Sequence, residues 1–291
     1  MLESLRSLGF ALGYPPTSAR TDEVIRDEIY SAERLEHHAE SLAARQSVYD
    51  SYWARHDLAA EARRNGTVLL ACHSSIAQAT QEHRAITPAA EWLLDNFHVI
   101  DGQLKSIQQD CTPRIARSLP KLADGPLRGY PRVYAVIWDL VAHTDSRLDP
   151  DLLKRFLRAY QRVVPLSMRE LWAVPLVLRC VMVDNLRRLA VRIVGSQAGR
   201  READKVADAL ETADRQTPPD LSDVLQGIAE QSLSRAFAVQ LVQRLRYRDL
   251  HLRDVKRPPA GGRSGQDPSL SAPPLGSIVV QVLSVAWKCQ I

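Results

Sequence analysis

None of the chain's four cysteines lies near another in the sequence. Cys72, Cys111, Cys180 and Cys289 stand alone, and none belongs to a Cys-x-x-Cys pair. That spacing excludes the common zinc modules and gives no disulfide framework, so a reducing, cytosolic setting is the simple reading. Aromatic residues make up only 6% of the chain and glycine is scarce before the C-terminal tail, while Ala, Leu, Arg and Glu dominate, which favours helix over sheet. The first dozen residues, MLESLRSLGFAL, lack the basic start and long apolar run of a signal peptide. No stretch reaches the roughly 18 to 20 apolar residues of a membrane span. The best candidate, Leu171 to Val183, carries Pro175 and Arg179 and reads as a buried, kinked helix. There is no Gly-x-Ser-x-Gly, no cysteine with an evident histidine base and no phosphate-binding glycine loop. A net charge of +4 is too mild to argue for nucleic acid.

What is present is a succession of helical patterns with start signals. Thr21 or Asp22 is placed to cap a helix bearing Ile25, Ile29, Leu35 and Leu42, which Arg45 to Asp50 interrupts. A second run covers Tyr52 to Arg64, Asn65-Gly66 reads as a stop or turn, and periodicity resumes from Thr67 to His83. Thr87-Pro88 opens a helix whose apolar face is Trp92, Leu93, Phe97, Ile100, Leu104 and Ile107; Thr112-Pro113 ends it and opens a short one. Leu119 to Gly129 is a loop, with Pro120, Gly125, Pro126 and Gly129. Pro131 starts a helix that ends at His143-Thr144. Ser146 or Asp149 caps the next one, with Pro150 just inside and Pro165 closing it. Ser167 to Glu170 has the form of a capping box before a helix to about Val194, kinked at Pro175 and ended by Gly195 and Gly199. A charged, exposed helix over Arg200 to Ala213, a break at Thr217-Pro218-Pro219 and a last helix to about Leu245 follow. The Pro-, Gly-, Ser- and Arg-rich stretch 256–277 reads as disordered, and 278–286, IVVQVLSVA, as strand-like.

The densest polar text lies between helices, in LPKLADGPLRGYPRVY and AHTDSRLDPDLL. Tyr130, Arg132, His143, Asp145, Arg147 and Asp149 are the candidates for an interface or glycan-contact loop. Aromatics at 130, 134, 138 and 172 suit stacking on a sugar, although helical spacing favours a core role. Arg147 suits an anion, and the competing role for the 143–149 group is a loop held by carboxylate-to-backbone bonds and an Arg–carboxylate pair. Asp149-Pro150-Asp151 matches the Asp-x-Asp form by which nucleotide-sugar transferases hold a metal, but it opens a helix, where capping is the ordinary use. No Gln-x-x-Arg-Trp follows it. The basic run Arg244, Arg246, Arg248, Arg253, Lys256 and Arg257 suits anionic lipid beside a membrane or weak binding to nucleic acid.

ITPAAEWLLDNFHVI, LPKLADGPLRGYPRVYAVIWDLVAHTDSRLDPDLLKRFLRAYQRV and ELWAVPLVLRCVMVDNLRRLA resemble the N-terminal region of the cyclic β-1,2-glucan synthetases, very large bacterial membrane glycosyltransferases; the likeness spans roughly residues 22 to 246. In that family the sugar-transfer chemistry lies downstream. The resemblance therefore implies a non-catalytic scaffold region of an enzyme that takes glucose from UDP-glucose, elongates a β-1,2 chain on itself and cyclises it. UDP-glucose and a divalent metal would be bound downstream, with no cofactor, metal or catalytic residue in this chain. It also implies a place at the cytoplasmic face of the inner membrane, and partners in the rest of the synthetase or another protein. The tail departs from the family after about residue 246, as a truncated copy or a shifted frame would. Beside this stand a free-standing all-α interaction module and, third, an all-α enzyme using Asp145, Asp149 and Asp151 around a metal. The expected fold is all-α: an irregular multi-helix bundle with a weakly ordered N-terminus (1–21), a helical domain (22–246, core 86–194) whose N-terminal helices form a long antiparallel hairpin docked on residues 86–246, and a disordered or out-of-frame tail (247–291).

Overall fold

The computed structural model describes residues 23–49, 57–213 and 235–255. The expectations for 1–21, for the break at 217–219 and for 256–291 lie outside them. Contacts divide the chain into two compact units, Ser7–Arg192, and Met1–Arg6 with Ile193–Ile291. The division falls inside the expected 22–246 span.

The described part is all-α apart from two two-residue strands. In the first unit an extended segment, 23–31, leads into α1 (Ala32–Arg45), followed by β1 (Val48–Tyr49), α2 (Leu58–Gln81), α3 (Pro88–Asp95), α4 (Phe97–Asp110), α5 (Pro113–Ser118), β2 (Lys121–Leu122), α6 (Arg132–His143) and α7 (Pro150–Val163). The long α8 (Met168–Ala213) belongs to this unit as far as Arg192.

Most helix starts are where the capping chemistry puts them. The hydroxyls of Thr87 and Thr112 accept the amides of Ala90 and Ile115, with proline next in each case. Asp149 accepts from the amides of Asp151 and Leu152. Ser167 and Glu170 exchange the two bonds of a capping box: the Ser167 amide donates to Glu170 Oε2 (2.9 Å) and the Glu170 amide to Ser167 Oγ (3.4 Å).

Four helix boundaries differ from expectation. The first helix begins at Ala32, capped by Ser31, and Ile25 and Ile29 precede it in extended chain. That segment is claimed by tertiary bonds: the amides of Asp27 and Tyr30 donate to the carbonyls of Ala142 and His143, which the end of α6 leaves unpaired. Asn65-Gly66 does not stop α2. Gly66 lies against Leu104, where a β-carbon would come within 3.1 Å, so the glycine marks a close helix approach. The run from Pro88 to Asp110 divides at Asn96 into α3 and α4, and Trp92 turns outward. Gly195 and Gly199 lie inside α8; an interior glycine costs only about 1 kcal/mol, which tertiary context overrides.

One apolar cluster of the first unit joins Leu35, Ala39 and Ala43 of α1, Val136 and Leu140 of α6, and Phe156, Ala159 and Tyr160 of α7. Thus α1 packs on α7 and α6 rather than in a hairpin with α2, which packs on α3 and α4. Small Ala residues on α1 let the aromatic rings of α7 fit against it. Around the seam Arg155 pairs with Glu36 (2.6 Å) and Arg162 with Glu40 (2.8 Å).

Cys72, Cys111 and Cys180 are buried thiols. Burial pushes Cys72 up to about 11 and Cys180 up to about 12, and it raises Cys111 as well. Thiolate is the reactive form. In a Cys289→Ser chain, a disulfide reagent at mildly alkaline pH should therefore find no fast thiol until denaturant is added; one fast equivalent would contradict this. Above the ordinary thiol value of 9.0 the unfolded chain ionises first and the folded chain holds its protons, so stability falls as pH rises from about 9 towards 11.

In the second unit, the remainder of α8 carries buried Val194, Ala198, Ala203 and Ala207, and α9 (Arg235–Val255) carries buried Phe237, Leu241 and Leu245. Residues 200–208 are therefore not wholly exposed. Gln240 donates to Asp204 (2.9 Å), and Arg244 reaches both Asp204 and Asp208.

Candidate functional site

The polar residues between 119 and 150 are drawn to different partners. Lys121 is 1% exposed, and its ammonium donates to the carbonyls of Leu119 (2.7 Å) and Arg117 (3.1 Å); this fastens β2, which pairs antiparallel with β1 through Val48–Leu122 and Tyr49–Lys121. Gly125 and Gly129 have φ of 76° and 85°, the left-handed backbone that glycine adopts freely, and they turn the chain back towards α6.

Tyr130 donates its hydroxyl to Glu61 on α2 (3.0 Å) and stacks on buried Tyr134 at 4.8 Å. Arg132, at the start of α6, is buried against Glu170 at the start of α8, with Nε to Oε1 at 2.9 Å and Nη2 to Oε2 at 2.7 Å. Burial works against the charge of Arg132, but the Glu170 carboxylate outweighs it and the guanidinium's affinity for its proton is raised.

His143 ends α6. Its Nδ1 is 2.7 Å from the Glu28 carbonyl, and its ring stacks on Tyr30 at 4.0 Å. Asp145 and Ser146 have φ of 50° and 62°, and the Ser146 amide bonds the Val141 carbonyl (3.1 Å), so a left-handed aspartate closes the helix where glycine is usual. Asp145 pairs with Arg26 (3.2 Å). Arg147 is exposed, and Asp149 is the cap of α7. Asp151 pairs with Lys154 (3.0 Å). Asp145, Asp149 and Asp151 thus serve three separate partners.

Two features were not assembled from the sequence. Asp184 of α8 receives Arg188 (Nε 3.0 Å, Nη2 2.8 Å), Arg187 (3.4 Å) and Asn65 of α2 (3.4 Å), all buried. Arg188 also donates to the Glu23 carbonyl (2.8 Å) and lies over the Trp138 ring at 4.8 Å. One turn away in the same face of α8, the side-chain amide of Asn185 holds both backbone groups of Ile25. The sole early hint of this group is the polar Asp184-Asn185 step inside an apolar run.

The second feature is His38, Asp139 and His143, one ligating atom from each lying within 4.8 Å of the others. Asp139 and His143 are four apart on α6, a legible pair; His38, 101 residues from Asp139, is not.

An open cavity of about 410 Å³ lies between α3, α4 and α8, lined by Trp92, Ile100, Leu148, Arg179, Met182 and Leu189 among others. Arg179 ties α8 to α4 through Ser106 (2.6 Å) and Asp110 (2.7 Å). Trp92 and Trp172 are exposed, at 53% and 77%. Among the described residues no helix is long and apolar enough to cross a membrane.

No protein-family model matches the chain. Over 190 residues, 65% of its length, the chain is 34% identical to the cyclic beta-(1,2)-glucan synthase NdvB of Rhizobium meliloti (strain 1021), and it spans 7% of the length of that protein.

Proposed function

We propose that this chain is a non-catalytic helical scaffold in cyclic β-1,2-glucan synthesis, positioned at the cytoplasmic face of the inner membrane. It corresponds to the N-terminal helical region of a synthase that builds and cyclises a β-1,2-glucan from UDP-glucose. The observation that carries this reading is the engagement of the polar residues in the likeness: Arg132 and Glu170 join α6 to α8, Asp184 takes Asn65 of α2, Arg188 lies over Trp138 of α6, and Asp149 caps α7. Side chains so engaged orient helices and are not free to do acid–base chemistry on a sugar.

The partners in this reading are the remainder of a synthase or another protein, with glucan contact at the 119–150 loops. Exposed Arg147 and half-buried Tyr130 are the positions there that a partner or sugar would meet. UDP-glucose and its divalent metal would be held outside this chain.

The test is direct. The purified chain, incubated with radiolabelled UDP-glucose and magnesium or manganese, should incorporate no glucose into polymer, into itself or into free sugar. A labelled β-1,2-linked product, lost on Asp149→Ala, would overturn the scaffold reading in favour of a metal-dependent transferase.

A further inference from the structure

We propose that His38, Asp139 and His143 form a binding site for one divalent transition-metal ion of the zinc class, clamping α1 and the extended segment 23–31 to α6. The site goes beyond the scaffold reading, whose expectation was no metal at all in this chain.

The residue types and their placement carry the inference. Asp139 and His143 lie four apart on α6 and so share one face. His38 of α1 meets them there, with its Nε2 in direct contact with Asp139 Oδ2. Two imidazoles and one carboxylate are a borderline nitrogen and oxygen set that suits zinc and its neighbours better than magnesium or calcium. A zinc ion holds such ligands at about 2.0–2.2 Å. A group already within 4.8 Å needs only small side-chain rotations to close on one.

The surroundings of His143 point the same way. Its Nδ1 donates to the Glu28 carbonyl at 2.7 Å, which leaves the lone pair of Nε2 as the ligating position. A backbone carbonyl on the far nitrogen is the usual orienting partner of a metal-bound histidine. Tyr30 stacks on His143 with ring planes 10° apart and meets His38 edge-on at 5.3 Å, so it packs against both rings. The three side chains are partly or fully buried, which limits competing water. Three protein ligands leave a fourth position for water or for a donor from a partner.

The experiment uses the full chain, stripped with chelator and titrated with Zn2+ and with Co2+. One equivalent should bind. Co2+ should give the visible absorption of a four- or five-coordinate nitrogen and oxygen site. The ring nitrogen resonances of His38 and His143 should move with Zn2+, while exposed His37 stays put. His38→Gln should weaken binding by about 100-fold or more, and His37→Gln should leave it unchanged. Absence of stoichiometric uptake by the wild-type chain would overturn the proposal, and so would uptake that leaves the His38 and His143 resonances unmoved. The wild-type resonances decide the matter even if a substituted chain folds poorly. Glucose transfer does not enter the readout, so this test and that of the scaffold reading fail separately.

Discussion

Glu170→Ala should lower the stability of the unit containing residues 7–192 by about 3–5 kcal/mol, because it leaves the Arg132 guanidinium buried beside no carboxylate. Arg132 and Glu170 are 6% and 1% exposed, and Glu170 also takes the Ser167 amide and hydroxyl, each at 2.9 Å. One carboxylate therefore ties the start of α6 to the start of α8 and caps α8. The Arg132 guanidinium would keep the Pro165 carbonyl at 3.3 Å and its interaction with the Tyr160 side chain, neither of which balances its charge. Replacing both partners with apolar residues of similar volume should cost much less than either single change, since the unpaired charge, more than the lost attraction, is what destabilises. Urea unfolding of the two single variants and the double variant reads this as shifts of the midpoint. A Glu170→Ala midpoint close to wild type would show that water reaches Arg132.

Asp184→Ala should be of similar size, about 3–5 kcal/mol, for the same reason multiplied: Arg187 and Arg188 are both buried and both lean on that carboxylate. Its consequences travel to one identifiable place. Arg188 holds the Glu23 carbonyl and covers Trp138, and neighbouring Asn185 grips Ile25. The extended segment should loosen before the helices do. Amide exchange at Ile25, Asp27 and Tyr30 should accelerate in Asp184→Ala, while the amides in the middle of α7 keep their protection. Uniform acceleration throughout the unit would mean that Asp184 supports global stability alone.

Local chemistry was legible in the sequence, and long-range chemistry was not. Thr87-Pro88, Thr112-Pro113, Asp149-Pro150 and Ser167-Glu170 mark helix starts because capping depends on a few adjacent residues. The stops at Asn65-Gly66 and at Gly195 failed because those signals weigh only about 1 kcal/mol each against tertiary packing. The helical reading of Ile25 and Ile29 failed because their backbone is claimed by Asn185 and the end of α6, far along the chain. The six loop residues singled out at 130–149 were grouped by nearness in sequence. The fold sends Tyr130 to Glu61, Arg132 to Glu170, His143 to Glu28 and Asp145 to Arg26. Conversely, His38 gave no sign of its nearness to Asp139, since nothing in a 101-residue separation encodes it.

The proposed role, support of cyclic glucan synthesis without performing its chemistry, can be tested in the cell. The most direct measurement is made in a bacterium that produces cyclic β-(1,2)-glucan, with the segment of its synthase that matches this chain deleted and then replaced by residues 22–246. Deletion should abolish cyclic glucan while the truncated synthase is still made, and the graft should restore it. A graft carrying Glu170→Ala should restore less, in proportion to its lost stability. Undiminished cyclic glucan after the deletion would rule out a supporting role for this region.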